Sequence, residues 1–173
     1  MTETADANHP KPHSIMARTI HWFFVVFYAY AIYKGLDNVE QLQDTALLRF
    51  EMIFAATFLA ILVGRFFFMK FTRPTAVPPE TPKLMRTAAR LGHLATYISV
   101  GMIAATGLMI GALYWSGATS GVVIQSVIAV HEFCVTASYV MIGLHISAAI
   151  FHRIKGDGIW SAMVPVFKET PKP

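Results

Sequence analysis

Cysteine is nearly missing from this chain: among 173 residues there is only Cys134. One thiol cannot form an intrachain disulfide, and it cannot build a metal site from several thiolates. Charge is scarce too. Charged residues make up 14% of the sequence, against about 25% in an ordinary soluble domain. The net charge of +4 would raise the question of nucleic acid in a soluble protein. Here the basic residues sit between long uncharged runs and not on one soluble face, which argues against a nucleic-acid binder. The chain is also too short for two domains of ordinary size. What it has in quantity is apolar residues, at 55%, and that points to an integral membrane protein.

A transmembrane helix needs about 20 mostly apolar residues. The first such run is TIHWFFVVFYAYAIY, between Arg18 and Lys34, extended by its apolar flanks. The second has its uncharged core from Met52 to Gly64, followed by Arg65 in a Phe-rich end. From Leu91 to His131 no residue carries a formal charge, and SGATSG at 116–121 divides this long run by its turn chemistry. The expectation is an all-α, integral membrane four-helix bundle with helices at about 16–36, 46–71, 88–115 and 122–152. A polar tail (1–15) precedes the bundle domain (16–155), and a C-terminal tail (156–173) follows it. The first run fits a secretory signal peptide poorly, since a polar tail precedes it and no A-x-A-like site follows. TRPTAVPPETP at 72–82 carries four prolines and is expected to be an extended loop. No solenoid-type repeat is present.

Lys and Arg in the flanks set the orientation. Twelve belong to the two tails and the second connection, whereas only Lys34 and Arg49 lie on the other side, among Asp37, Glu40, Asp44 and Glu51. Both termini and the proline-rich loop are therefore expected in the cytoplasm, the lipid bilayer being the surrounding partner.

Five of seven histidines fall in the expected spans: His21, His93, His131, His145 and His152. Ionisable groups at membrane depth are costly and usually functional. On helix four, His131 and His145 are fourteen residues apart, which places them about 40° apart around the axis and roughly 21 Å along it. His152, seven further on, is about 20° off that line. Imidazoles at two depths on one face suit axial ligation of stacked b-type haems in a bundle, without any CxxCH attachment. The alternative for each histidine is an interhelical hydrogen bond. His152, beside Arg153, fits an interfacial or quinone-contact role as well as it fits haem, and His93, one turn after Arg90, is similarly open. By depth His21 and His145 share the cytoplasmic half. His131 lies in the outer half, where the only ionisable candidate to face it is Glu51, with Met52 beside it. With Glu132, Glu51 could form a polar or ion-paired cluster around His131.

The segments TIHW at His21, LVGRFFF around Arg65, RLGHLATY around His93 and VHEFCVTASYVMIGLHISAAIFHR resemble the bacterial four-helix cytochrome b561 family. That family includes the superoxide oxidase type and is related to the cytochrome b subunits of hydrogenases and formate dehydrogenases. The resemblance implies a multi-pass protein of the bacterial inner membrane, with His21 and His145 as axial ligands of the cytoplasmic haem iron. It implies an outer haem held by His131 and a second residue near the start of helix two. Counted back from Arg65, that position is Glu51, a poor substitute for imidazole. One haem b is therefore expected and two are possible, His131 serving a second haem only where one is present. Quinone is the implied redox partner, and Arg65 an implied propionate contact; Arg86 and Arg90 could contact propionate or headgroup, although Arg86 suits a solvated loop face equally. Three functions follow from the resemblance: electron transfer with the quinone pool, an accessory subunit of a larger respiratory or photosynthetic membrane redox complex, or a superoxide:quinone oxidoreductase. No catalytic residue is assigned. A transporter fits less well, since no inverted repeat or broken helix is visible.

Overall fold

The computed structural model describes residues 13–36, 38–72 and 82–169. Residues 73–81 of the expected loop and the outermost parts of both tails, 1–12 and 170–173, lie outside the described residues; Thr72 closes α2 and Pro82 precedes α3. Helix α1 spans Ile15–Tyr33, a 3₁₀ turn Val39–Gln43, α2 Thr45–Thr72, α3 Lys83–Trp115, α4 Val122–Lys155 and α5 Ile159–Met163. The first four long helices are each long and apolar enough to cross a membrane, and among the described residues there is no strand.

Local chemistry sets the ends. The Ser14 hydroxyl accepts the Ala17 N–H at 3.2 Å and starts α1. Asp44 accepts the Ala46 N–H at 2.8 Å and starts α2. Both are N-cap contacts that satisfy orphan donors of a first turn. Helix α3 begins at Lys83, earlier than the apolar run suggested, because nothing after Pro82 opposes helix and Lys, Leu, Met and Arg all favour it. Helix α4 likewise runs past His152 to Gly156, whose φ of 72° closes the last turn in the left-handed region. At about 1.5 Å per residue, the 33 residues of α3 and 34 of α4 reach roughly 50 Å. That exceeds the hydrocarbon thickness of about 30 Å. Their excess lies largely at the end rich in Arg and Lys, called here the basic end.

Helix α3 is the hub, packing on α4 and on α2, while α1 rests chiefly on α2. Two clusters form the interior. At the end away from the basic residues, Leu42, Leu48, Ile110, Tyr114 and Ile124 are buried together with Met52 against them. Midway, Phe58, Leu62, Val100 and Ala104 pack with Phe24, Phe27 and Tyr28. An aromatic seam joins α1 to α2: Phe27 stacks on Phe54 at 4.8 Å and Phe24 lies 5.2 Å from Phe58. Large side chains such as Ile53, Phe133 and Leu144 point outward, at 68%, 72% and 60% exposure. Only lipid makes that arrangement favourable.

Gly111 lets α2 come close to α3. A Cβ there would lie 2.6 Å from Met52 Cγ, an atom too near its own backbone to swing aside cheaply. Gly111→Ala is expected to destabilise the bundle by about 1–3 kcal/mol, as overpacking does. A thermal midpoint in detergent equal to that of the parent would show that the notch is not needed.

The C-terminal stretch, expected only as a tail, is folded as far as Glu169. Gly158 turns the chain into α5, and the Ala162 carbonyl accepts the His13 N–H at 3.2 Å. Trp22 Nε1 donates to the Met163 carbonyl at 3.3 Å. The Arg153 guanidinium lies over Trp160 and Phe167, at 5.2 and 5.6 Å. His152 Nδ1 donates to Asp157 Oδ2 at 2.7 Å, and Lys155 Nζ is 3.4 Å from the same oxygen. This cap ties the start of α1 to the end of α4.

Two groups make the cap acid-sensitive. Burial, and then the nearby Arg18 charge, hold His13 below its ordinary 6.5. At Asp157 burial pushes the carboxyl up, but His152, the Ile159 N–H and Lys155 outweigh it and leave it below 3.8. Both pKa values are depressed by folding, so both contributions are complete above the unfolded values and fade as pH falls. The cap should loosen in two stages, the first below about pH 6.5 and the second below about pH 4. Faster amide exchange across 156–169 on acidification is the expected signal, and exchange protection unchanged from pH 7 to pH 5 would count against the His13 stage.

Candidate functional site

Three imidazoles meet in the half of the bundle nearer the basic end. His21 lies two turns into α1, His93 three turns into α3 and His145 three turns before the end of α4. The rings of His21 and His145 are 6.4 Å apart between centroids, at 57°. His93 stands edge-on to His145 at 5.4 Å. The sequence left His93 open; α3, packed along α4, brings it into the group.

Arg65 of α2 completes the site. Its Nε donates to Tyr97 Oη at 3.0 Å, and its guanidinium lies over the rings of Phe24 and Tyr97, at 5.7 and 5.9 Å. It is close enough to interact electrostatically with His21, His93 and His145. Its Nη1 is buried with no hydrogen-bond partner, and so is Nδ1 of His21. No carboxylate pairs with Arg65 among the described residues. An unmatched buried polar group costs about 1–3 kcal/mol, more when charged. The site therefore has an unmet demand for an anion and for a partner to an imidazole.

The other half is built differently. His131 does not meet Glu51: its Nδ1 is 2.9 Å from Thr106 Oγ1. The Thr106 hydroxyl hydrogen is already used, with the Met102 carbonyl accepting at 2.6 Å, so the His131 Nδ1–H is the donor. A Cβ on Gly107 would be 3.6 Å from the His131 ring. Of the expected cluster, no ion pair joins His131 to Glu51 or Glu132 among the described residues, although Glu132 is near enough to act on His131 electrostatically. The reason is packing, since α3 with Thr106 and Gly107 lies against this stretch of α4. The cation that Glu51 senses is Lys34, and Met52 beside it fills the notch at Gly111.

His152 belongs to the cap with Asp157 and not to the imidazole group. Sequence reasoning passed over Tyr97, Thr106 and the pair Tyr28–Ser138, whose hydroxyls are 2.6 Å apart. A signal for the last was available: Tyr28 follows His21 by seven residues and Ser138 precedes His145 by seven.

The family model for prokaryotic cytochrome b561 matches residues 12–166. No curated protein and no solved structure matches the chain. The matched span takes in all five helices, the three converging imidazoles and the Arg65 guanidinium. A multi-pass helical membrane protein with histidines gathered inside it is what a b-type electron-transfer cytochrome requires, and this chain belongs to the prokaryotic cytochrome b561 family.

Proposed function

We propose that the chain holds one b-type haem between His21 and His145, in the cytoplasmic half of the inner membrane, and exchanges electrons with the quinone pool. The observation that carries this is the 6.4 Å between the two ring centroids. Two metal–nitrogen bonds of about 2.0 Å, with about 1.1 Å from each nitrogen to its ring centre, require roughly 6.2 Å. The donor set fits as well. The open N–H of Arg65 is what a propionate would satisfy. Arginine suits a carboxylate because it can bind it with two parallel N–H groups.

When bound, haem supplies reversible one-electron iron chemistry. The protein's own residues do the rest. His21 and His145 would hold the iron from two helices, and Arg65 would balance carboxylate charge. His93 adds a third imidazole, edge-on to His145. The twelve-to-two distribution of Lys and Arg supports cytoplasmic termini and a site on the cytoplasmic side.

The opposite half supports a single haem. There His131 is engaged with Thr106, and Glu51, at the position the resemblance gives for a second ligand, is a carboxylate and no imidazole. A superoxide:quinone route would need a carrier in that half, which makes it the weaker alternative. A pyridine haemochrome assay on the purified chain is expected to give one haem per polypeptide. A ratio of two would refute the single site, and a ratio of zero would refute haem binding.

A further inference from the structure

Helices α1 and α4 run antiparallel, so residues at one depth have numbers with a constant sum. His21 faces His145. Seven residues along α1 and seven back along α4, about 10.5 Å nearer the opposite end, Tyr28 faces Ser138. There Tyr28 Oη lies 2.6 Å from Ser138 Oγ. The Ser138 hydroxyl donates to the Val135 carbonyl at 2.7 Å, so the Tyr28 hydroxyl is the donor between the helices. Ser138 has 0% exposure, and a side chain much larger would not fit there.

Little else joins these two helices directly, because α1 packs on α2 and α4 on α3. On the far side of the imidazole pair the tie is indirect, through the cap: Trp22 Nε1 to the Met163 carbonyl and the His13 N–H to the Ala162 carbonyl. The two facing imidazoles thus stand between two polar ties. An O–H···O bond is formed only over a narrow range of heavy-atom distance, about 2.5–3.0 Å. Inside a bilayer a tyrosine hydroxyl has no water to turn to. A bond of that kind fixes helix spacing more sharply than aliphatic contact, which tolerates sliding.

We propose that Tyr28 and Ser138 are positioning residues for the haem site: their hydrogen bond holds α1 and α4 at the spacing that lets His21 and His145 reach one iron from opposite sides. The inference rests on the haem assignment above and deepens it. Neither residue touches the iron. Tyr28→Phe keeps the ring, which lies 6.2 Å from Phe58, and removes only the tie.

Two experiments on the haem-loaded chain and one on the haem-free chain test this. Haem transfer from the purified chain to apomyoglobin should be up to about tenfold faster in Tyr28→Phe and in Ser138→Ala, with a shifted or broadened low-spin EPR signal. The double variant should be no worse than either single one, because both remove the same bond. The third measurement needs no haem. In a Cys134→Ala background, spin labels on cysteines replacing Tyr33 and Val123 report the α1–α4 distance in the haem-free chain. Tyr28→Phe should widen that distribution. Haem loss, EPR signal and distance distribution all equal to those of the parent would overturn the proposal. A parent without any low-spin haem overturns the haem assignment, and the distance distribution then still decides whether the tie sets the helix spacing.

Discussion

His145→Ala should leave the purified chain without its low-spin haem spectrum, and His21→Ala should do the same. On the proposed ligand pair each would remove one of two nitrogens, and a haem held by a single nitrogen in a site shaped for two is retained poorly and turns high-spin. His131→Ala should keep the spectrum, because that ring is engaged with Thr106 in the other half. His93→Ala should also keep a low-spin signal. This last variant is the sharper control, since His93 is nearer to His145 than His21 is, at 5.4 against 6.4 Å. If His93→Ala loses the spectrum and His21→Ala keeps it, the ligand pair is His93 and His145. If both His21→Ala and His145→Ala keep an unchanged spectrum and haem content, the pairing is wrong altogether.

Arg65→Met should make the haem midpoint potential more negative by roughly 50–90 mV. Reduction adds an electron to the centre, and a nearby cation favours the reduced form. At about 8 Å and an effective dielectric constant of about 20 that preference is worth about 2 kcal/mol. For a one-electron couple, where 59 mV is tenfold, this converts to about 90 mV, and solvent near the half-buried Arg65 lowers it. Arg65→Lys keeps the charge and loses the fork, together with the bond from Nε to Tyr97. It should move the potential by less than half as much. A redox titration in which Arg65→Met matches the parent would separate Arg65 from the haem.

The spans were legible in the sequence because lipid imposes one simple rule, a long apolar run free of charge. The beginning of α3 was not, because Lys83 to Thr87 is polar enough to leave the hydrocarbon yet still favours helix, and polarity alone cannot separate those two properties. His21 and His145 could be paired by depth from numbering alone. The place of His93 could not, since it depends on which neighbour α3 packs against. Thr106 as the partner of His131 was hidden for the same reason: a threonine in an apolar helix carries no mark of which way it faces. The folded stretch after Gly156 was hidden differently. Its ties to α1 are backbone carbonyls accepting from His13 and Trp22, and carbonyls are common to every residue.

The close approach of α2 to α3 at Gly111, with Met52 filling the notch, bears on voltage. Carrying one charge across a membrane is worth about 2.3 kcal/mol per 100 mV. With the single cytoplasmic haem of the proposed function and no carrier in the other half, an electron both enters and leaves without traversing the field. Turnover on this reading is electroneutral: it neither builds a membrane potential nor is slowed by one. In proteoliposomes the haem would keep its redox poise when a potassium diffusion potential is imposed in either direction.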